Sequence, residues 1–416
     1  MPTPRPKAAS LPVEVQANRL APLGMPPARF LRDYWQKRPL LIRGAFADLE
    51  NPVAPDDLAG LACEELALSR IAIHEPKSDR WTLRTGPFAE DDFARLPKTH
   101  WTLLVQDVDK WDADVAALLP HFSFLPSWRI DDVMVSYAED GGSVGAHVDQ
   151  YDVFLLQGLG RRRWQIDAGA GAAGPARGRA DSGKDFAYRD DTELKLLREF
   201  APTHDWILEP GDMLYLPPGV PHHGVALGEC MTYSVGMCAP SRAELLVDLA
   251  ETLAESLPES LRLDDPDLAP SNGDAEIDDA ALERVVRAMP WLDLPADTLR
   301  MWFGRFITRY RSAQMVAPPP RALTDAAFAR ARVRGAHVQR NPWSRVAWVR
   351  DGSGACLFAG GDAHACSVSL AQRVGAQANF PLDAIGDDAR DHAVVRALVD
   401  AGHLALMQAG RAPGSR

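Results

Sequence analysis

The sequence is poor in cysteine and contains no long apolar run. Its 416 residues include five cysteines, at positions 63, 230, 238, 356 and 366, and no two of them form a CxxC pair. This odd, scattered set disfavours a disulfide framework or a cysteine-based zinc site and favours a reducing compartment. No stretch approaches the roughly 18 apolar residues of a membrane span, and the N-terminus lacks the apolar core of a secretory signal. We therefore expect a cytoplasmic protein with no membrane segment.

Lysine is absent from the last hundred residues. Residues 317–416 contain 12 Arg and no Lys against 8 Asp, a local net charge of +4 in a chain whose formal net charge is −12. The remainder therefore carries −16. An acidic body of this kind suits a basic protein partner better than free nucleic acid, so nucleic-acid binding is not expected. Simple solubility is the alternative interpretation of the charge.

Turn residues divide the chain into regions of different character. An amphipathic helix is predicted over residues 27–37, and short β-type runs separated by Gly and Pro turns follow from Asp131 onward. This density of short strands is typical of a barrel or sandwich. The low-complexity insert at 168–184 predicts a loop.

After Pro240 the pattern becomes helical. Ser241 and Glu244 form a capping box that predicts a helix start. Further helices are predicted near 242–257, 278–289, 296–311, 323–333 and 391–401, with a hairpin between the last two. We therefore assign a first domain over 1–240, of which 1–25 is a loose leader, a helical region over 241–316 and a small mixed module over 317–416.

A His and an Asp stand two residues apart in the stretch GAHVDQYDVFLLQ. On a strand, the side chains of His147 and Asp149 would point to the same face. Tyr151, Val153 and Leu155 would share that face, which we therefore expect to be in the interior. A buried carboxylate needs a cation, because an uncompensated charge in the interior is costly. A hydrogen-bonded His–Asp pair and a metal site are both compatible with this spacing.

A second polar feature comes 62 residues after Asp149, in GDMLYLPPGVPH (211–222). Its spacing of Gly, Pro, Gly and His resembles the second cupin motif, in which a Gly–Pro turn delivers a His into a β-barrel. Strand alternation places His222 with Gly224 and Ala226, small residues that would leave space for a metal. His147, Asp149 and His222 together then form a two-His, one-carboxylate triad, the ligand set of non-haem Fe(II) oxygenases.

Three consecutive arginines lie between these two features, in GRRRWQID (160–167). If this run is a strand, Arg162 shares a face with Trp164 and Ile166, while Arg161 and Arg163 point the other way. A single inward guanidinium calls for an anion, and bidentate pairing with a carboxylate is its natural use. The alternative is a basic surface patch.

Five stretches of the chain together resemble one known family, the JmjC ribosomal oxygenases of the cupin superfamily, and most closely the bacterial arginine-hydroxylase branch. They are DYWQKRPLLIRGAF (33–46), HWTLLVQDVDKW (100–111), HVDQYDVFLLQGLGRRRW (147–164), EPGDMLYLPPGVPHHG (209–224) and YSVGMCAP (233–240). The resemblance implies an α+β chain: a double-stranded β-helix, then a helical dimerisation region and a winged-helix-like domain. It also implies a homodimer. The insert at 168–184 and His223 depart from the family pattern.

The resemblance also implies the chemistry. Fe(II) would lie at His147, Asp149 and His222, and 2-oxoglutarate at Arg162, with Ser136 as a hydrogen-bond donor. O2 and 2-oxoglutarate would be consumed, succinate and CO2 released, and one hydroxyl placed on a side chain. The expected target is an arginine of a basic ribosomal protein of the large subunit.

Other activities remain compatible with the residues. A histidine hydroxylase or a lysine demethylase would use the same triad, and a non-enzymatic cupin regulator could bind DNA through its C-terminal module. Near the triad, Asp152 is interpreted as a solvent-facing carboxylate of the strand, with a contact to a cationic substrate as the alternative. Tyr137 is a further candidate for lining a substrate channel.

Overall fold

The chain folds into two compact units, Met1–Ala239 and Pro240–Arg416, and each is described by itself. The computed structural model describes residues 11–18, 21–169, 186–264, 266, 279–289, 294–310 and 316–408. Most of the insert at 168–184 lies outside these residues. None of the described helices is long and apolar enough to span a bilayer. None of the five cysteines, all of which lie in the described part of the chain, forms a disulfide bond, as their scattered spacing predicts.

The first unit is built on one large sheet. Its strands are β1 (Glu14–Gln16), β2 (Leu40–Arg43), β3 (Ser69–Glu75), β4 (Arg80–Thr85), β5 (Trp101–Val105), β6 (Ile130–Ala138), β7 (Val153–Ile166), β8 (His204–Leu208), β9 (Met213–Leu216) and β10 (His222–Met237). Its α-helices are α1 (Pro27–Asp33), α2 (Pro55–Leu61), α3 (Glu90–Ala94), α4 (Val108–Trp111) and α5 (Ala113–Ala116). The strand order is β1-β2-β9-β7-β10-β6-β5-β3-β4, with β8 paired to β7.

Two long strands, β7 and β10, each contribute to two different parts of this sheet. The first part of β7, Val153–Leu156, pairs with β9, whereas its last part, Arg162–Ile166, pairs with β8. Strand β10 accompanies β7 along both parts in antiparallel register. Because the sheet curls round these two strands, it encloses an interior, and the expected double-stranded β-helix of jelly-roll type is confirmed.

A glycine-rich irregularity changes which side chains of β7 face that interior. Val153 and Leu155 precede it, Trp164 and Ile166 follow it, and all four belong to one buried cluster although their numbering changes from odd to even. The pairing register shifts between Thr232 and Leu227 of β10. Gly160 has φ +61°, and a Cβ there would lie 2.0 Å from the Glu229 carbonyl oxygen. An extra residue in one strand inverts the facing of everything beyond it.

The largest core of the first unit contains a cluster of aromatic rings. Phe154 is fully buried, and its ring centroid lies 4.9 Å from that of Tyr215, 5.0 Å from that of Phe122 and 5.8 Å from that of Phe30. Phe30 comes from α1 and Tyr215 from β9, so the ring of Phe154 connects the outer helix to the sheet. Aromatic pairs at these separations add to the free energy gained by burying their area.

The second unit combines helices with two three-stranded sheets. Its elements are α6 (Arg242–Ser256), α7 (Asp279–Arg287), α8 (Ala296–Arg309), α9 (Asp325–Val333), β11 (His337–Arg340), β12 (Val346–Asp351), β13 (Gly354–Ala359), β14 (Asp362–Cys366), α10 (Val368–Ala376), β15 (Asn379–Pro381), α11 (Ala389–Asp400) and β16 (Leu404–Met407). The sheets have the orders β15-β11-β16 and β12-β13-β14. The predicted capping box is present, because the Ser241 Oγ accepts from the Glu244 amide at 3.1 Å and Glu244 accepts from the Ser241 amide at 2.8 Å.

Two local predictions are wrong. Residues 14–16 of the expected loose leader form β1, which pairs in parallel with β2. Backbone hydrogen bonds to β2 hold these residues in place. Because backbone hydrogen bonds do not depend on side-chain type, the amino-acid composition of this segment does not predict them. The segment around His147 and Asp149 is irregular instead of a strand, and regular β7 begins only at Val153.

Replacing Phe154 by Ala should lower the free energy of unfolding of the first unit by about 3–5 kcal/mol, because it leaves a cavity among several packed rings. Urea denaturation followed by circular dichroism measures the loss. The control is Ile207→Ala on β8, whose side chain is 43% exposed and which should cost about 0.5 kcal/mol. Equal losses for the two variants would contradict the central role given to this ring.

Candidate active site

His147 and His222 are joined through their backbones. Each donates its amide to the other's carbonyl oxygen at 3.0 Å, an isolated antiparallel bridge between the irregular segment and the start of β10. Their imidazole centroids lie 4.2 Å apart. The bridge therefore holds both rings on the same side of the backbone, although His147 is not part of a regular strand.

Backbone carbonyls orient both rings. The Nδ1 atom of His147 lies 3.0 Å from the Gly145 carbonyl oxygen, and the Nδ1 atom of His222 lies 2.9 Å from that of Val220. A carbonyl only accepts, so each Nδ1 must carry a proton, and in the neutral form of the ring the lone pair lies on Nε2. Burial, reinforced by the neighbouring His147, lowers the pKa of His222. His222 is thus neutral near pH 7, the form that binds metals.

Asp149 completes the group. Its Oδ1 lies 4.0 Å from the His147 Nε2, and its Oδ2 lies 3.6 Å from the His222 Nε2. One candidate ligand atom from each of the three residues lies within 4.8 Å of the others, and the part of the chain that the structure describes contains no second such group of three or more. The Gly219 amide donates to the Asp149 carbonyl at 2.9 Å, which ties this segment to the turn before His222.

The convergence of the three residues does not come from strand alternation. Tyr151, expected to continue an interior face, is 42% exposed, whereas Val153 and Leu155 are buried. The prediction that His147 and Asp149 lie together is therefore correct, but the strand alternation from which it was made is absent here. The His147–His222 bridge and the Gly219 contact, both long-range in sequence, set the local backbone instead.

The arginine run divides as its alternation predicts. Arg162 is 3% exposed, whereas Arg161 is exposed and Arg163 binds Asp205 at the surface through Nε at 2.8 Å. In the register of β7 with β10, Arg162 lies opposite Ala226 and Ile166 lies opposite His222. Arg162 and the triad therefore belong to the same interior.

Only neutral groups contact the Arg162 side chain. Its Nη1 donates to the Ser136 Oγ at 3.2 Å and to the Thr232 Oγ1 at 3.4 Å, and its Nη2 donates to the Gly224 carbonyl at 3.5 Å. No carboxylate of the described residues forms an ion pair with it, and its Nε has no partner. Burial lowers the pKa of this guanidinium. A buried cation without a counter-ion is costly, so the site is suited to an anionic ligand.

Gly224 has a different role from the predicted one. A Cβ at this position would lie 2.7 Å from the Trp164 ring and 2.9 Å from the Arg162 Nε. The missing side chain thus lets Arg162 pack over Trp164, with its Cζ 5.3 Å from the ring centroid. The prediction that Gly224 leaves space for the metal is corrected, because its space accommodates this pair.

Both interpretations of Asp152 are wrong. Its side chain is fully buried, not solvent-facing, and it meets groups of the protein itself. Oδ1 accepts from the Tyr215 hydroxyl at 2.6 Å, while Oδ2 accepts from the Gln36 Nε2 at 2.9 Å and the Arg129 Nη2 at 3.2 Å. Burial raises the pKa of this carboxyl group, and these three donors oppose the rise.

Two further residues singled out in the sequence, Tyr137 and His223, pack against aromatic neighbours. Tyr137 is half-buried, packs against Trp101 with centroids 5.4 Å apart and donates to Glu139 at 2.8 Å. The His223 ring packs edge-on to Phe200, with centroids 6.2 Å apart. Thr232, which contacts Arg162, was not predicted, although its place in the alternating stretch MTYSVGM is compatible with an inward side chain.

Two family models match the chain. The model of the JmjC domain matches residues 117–245, and the model of the ROXA-like winged helix matches residues 288–405. The first range contains the triad and Arg162. The second contains α8 and the two small sheets of the second unit, except for the last two residues of β16.

Relatives of known sequence and structure agree with these matches. The chain is 38% identical over 290 residues to the ribosomal protein uL16 3-hydroxylase of Escherichia coli K12. The aligned region covers 70% of this chain and 73% of the relative. It is 35% identical over 243 residues to a protein of Haemophilus influenzae named "Probable ribosomal oxygenase", covering 58% of this chain and 56% of the relative.

Solved structures of E. coli YcfD superpose on this chain. One gives a TM-score of 0.79 at 33% identity over 92% of this chain and 98% of YcfD. Another, of the ribosomal oxygenase YcfD in complex with cobalt and 2-oxoglutarate, gives 0.77 at the same identity and coverage. On the sequence match, the structural match and the two family models, the chain belongs to the JmjC-type ribosomal oxygenases and is an enzyme of the 2-oxoglutarate-dependent dioxygenase class.

Proposed function

We propose that this protein hydroxylates an arginine side chain of a large-subunit ribosomal protein in the cytoplasm, using Fe(II), 2-oxoglutarate and O2. The observation that carries the proposal is the combination in one interior of three convergent metal donors and a buried arginine without a counter-ion. The first feature suits a metal, and the second suits the carboxylate of a cosubstrate.

The donor set fits a divalent metal such as Fe(II). A first-row ion held at about 2.1 Å from each donor spans at most about 4.2 Å between two donors and about 3.0 Å between adjacent donors. The two His–carboxylate distances of 4.0 and 3.6 Å lie below the first limit and would shorten as the side chains closed on the ion. His147, Asp149 and His222 would hold the ion through two neutral imidazoles and one carboxylate, a ligand set that leaves room for further ligands. When bound, Fe(II) would enable O2 to oxidise 2-oxoglutarate to succinate and CO2 and a C–H bond to C–OH, with one oxygen atom of O2 entering succinate and the other the hydroxyl.

The protein's own groups bind and orient the cosubstrate. Ala226, opposite Arg162, is four residues along β10 from His222, a distance of about 13 Å at the rise of a strand. The extended Arg162 side chain and a five-carbon dicarboxylate together fit this distance. We assign the carboxylate remote from the metal to Arg162 and Ser136, whose Oγ contacts the guanidinium at 3.2 Å.

Two observations support the substrate class. The E. coli relative is named as a hydroxylase of ribosomal protein uL16. Residues outside the C-terminal hundred carry a formal charge of −16, which favours association with a basic protein. Membership of an oxygenase family favours this enzyme over a non-enzymatic DNA-binding regulator.

Incubation with Fe(II), 2-oxoglutarate and purified large-subunit ribosomal proteins should release succinate and add one oxygen atom to an arginine of one of them. Mass spectrometry of the products and a succinate assay measure this. His222→Ala should reduce both signals to background, because it removes a metal ligand. Oxygen on a histidine would contradict the arginine assignment, and loss of a lysine methyl group would show a demethylase instead.

Replacing Arg162 by Ala should weaken 2-oxoglutarate binding about 100-fold, because the charge-assisted hydrogen bonds to the remote carboxylate disappear. Titration calorimetry of the Mn(II)-loaded protein measures the affinity, and Mn(II) binding itself should change little. The matched control is Arg163→Ala, the neighbouring arginine paired with Asp205 at the surface, which should bind 2-oxoglutarate normally. Equal losses of metal and cosubstrate binding in Arg162→Ala would show that Arg162 is structural.

We also propose that the helical region forms a homodimer. Leu282 and Val286, one turn apart on α7, are 53% and 54% exposed, and Leu246 and Val247 of α6 are 67% and 55% exposed. Apolar side chains one helical turn apart share a face. Contiguous exposed apolar groups are typical of interaction surfaces, and a second copy of the chain is the partner implied by the family resemblance.

The double change Leu282→Glu and Val286→Glu should convert the dimer to a monomer, because it places two charges in the apolar contact. Size-exclusion chromatography with light scattering measures the mass. Val333→Glu changes a residue of α9 that is 89% exposed and should leave the dimer intact. A wild-type monomer at micromolar concentration would refute the dimer.

A further inference from the structure

Asp152 is a buried carboxylate that the proposed chemistry does not use. It accepts hydrogen bonds from three elements distant in sequence: the turn after α1 through Gln36, the segment before β6 through Arg129 and β9 through Tyr215. Its own carbonyl accepts from the Met237 amide at 3.0 Å, near the end of β10. Few side chains are held from so many directions, so the position of Asp152 is rigid.

Asp152 is also the first buried residue after Asp149. The two residues between them, Gln150 and Tyr151, are exposed. Upstream, the Gly219 amide holds the Asp149 carbonyl and the bridge to His222 holds His147. Downstream of Asp149, the side chain of Asp152 is the next anchor of this irregular segment, just before regular β7 begins.

We propose that Asp152 is a positioning residue of the metal site, holding the backbone from Asp149 to Val153 so that the Asp149 carboxylate faces His147 and His222. This inference rests on the proposed metal-binding function of the triad. An irregular segment has no ladder of hydrogen bonds to fix it, so the donors on Asp152 supply that restraint. Metal affinity falls when ligands are less well held, because binding must then order them.

The chemistry of the contact suggests a conservative test. In Asp152→Asn, one oxygen remains to accept from the Tyr215 hydroxyl, but an NH2 group must face the Arg129 guanidinium, which has donors only, while Gln36 can turn its amide oxygen toward that group. Donor facing donor is repulsive, so the anchor should loosen while the volume is kept. Tyr215→Phe removes the 2.6 Å hydrogen bond to Asp152 and the 2.7 Å hydrogen bond that the same hydroxyl accepts from the Gln36 backbone amide. It leaves the Arg129 and Gln36 side-chain donors to Asp152 in place and is the milder variant.

Asp212 offers a matched control in the same unit. It is 7% exposed and accepts from the Arg43 Nη1 at 2.7 Å and the Gly44 amide at 2.9 Å. It is therefore also a buried carboxylate paired with an arginine, but its contacts lead to β2 and the turn before β9, not to the triad. Asp212→Asn should lower stability without changing the metal site.

The experiment titrates Co(II) into the full-length wild type, Asp152→Asn, Tyr215→Phe, Asp212→Asn and His222→Ala. The Co(II) affinity, the visible absorption spectrum of the bound ion and the thermal midpoint are measured for each. Asp152→Asn should bind Co(II) about tenfold more weakly, with an altered spectrum. Tyr215→Phe should bind about threefold more weakly, and Asp212→Asn should match the wild type in affinity and spectrum despite a lower midpoint.

The outcomes separate the two proposals. No Co(II) binding by the wild type, or undiminished binding by His222→Ala, would refute the metal site itself. With that site established, wild-type affinity and spectrum in Asp152→Asn would overturn the positioning role. So would equal weakening in Asp152→Asn and Asp212→Asn, since stability alone would then explain it. If Asp152→Asn does not fold, Tyr215→Phe decides: unchanged affinity overturns the inference.

Discussion

The antiparallel pairing of β7 with β10 is the constraint on which the site depends. It places Ile166 opposite His222 and Arg162 opposite Ala226, and so sets the distance between the metal donors and the buried guanidinium. A shift of one residue in this register would turn Arg162 out of the interior, because neighbouring strand residues face opposite sides. The irregularity near Gly160 is part of the same constraint, since it determines which arginine of the run lies inside.

Buried charges in the first unit fall into two kinds, and the difference separates structure from ligand binding. Asp152 and Asp212 each have an arginine and further donors, so their charges are balanced within the protein. Among the described residues, Arg162 donates hydrogen bonds only to hydroxyl and carbonyl oxygens. A charge balanced internally contributes to the architecture, whereas a charge left unbalanced at comparable burial implies an anion from outside.

Much of the architecture and most of the site follow from local patterns. Alternation identifies Arg162 as the inward arginine, the Gly–Pro turn spacing singles out His222, and the capping box at Ser241 marks the start of α6. Where prediction failed, distant contacts determined the structure. Asp152 was predicted to be a surface carboxylate because the sequence around it shows no partner. Its hydrogen-bond donors lie 116, 23 and 63 residues away, on Gln36, Arg129 and Tyr215. Gly224 was predicted to leave space for a metal because its neighbour Trp164 lies on a different strand, and the sequence around Gly224 does not show that contact.

The sequence by itself determined the class of the site: which residues can donate to a metal, which arginine can hold an anion and which family has both. Residue chemistry and short-range alternation are local properties, so a single sequence suffices for them. Only the tertiary structure decided how His147 and Asp149 reach His222. They do so from an irregular segment, held by the bridge to His222 and the Gly219 amide on one side and by buried Asp152 on the other. Those restraints join residues far apart in the chain, and no local pattern contains them.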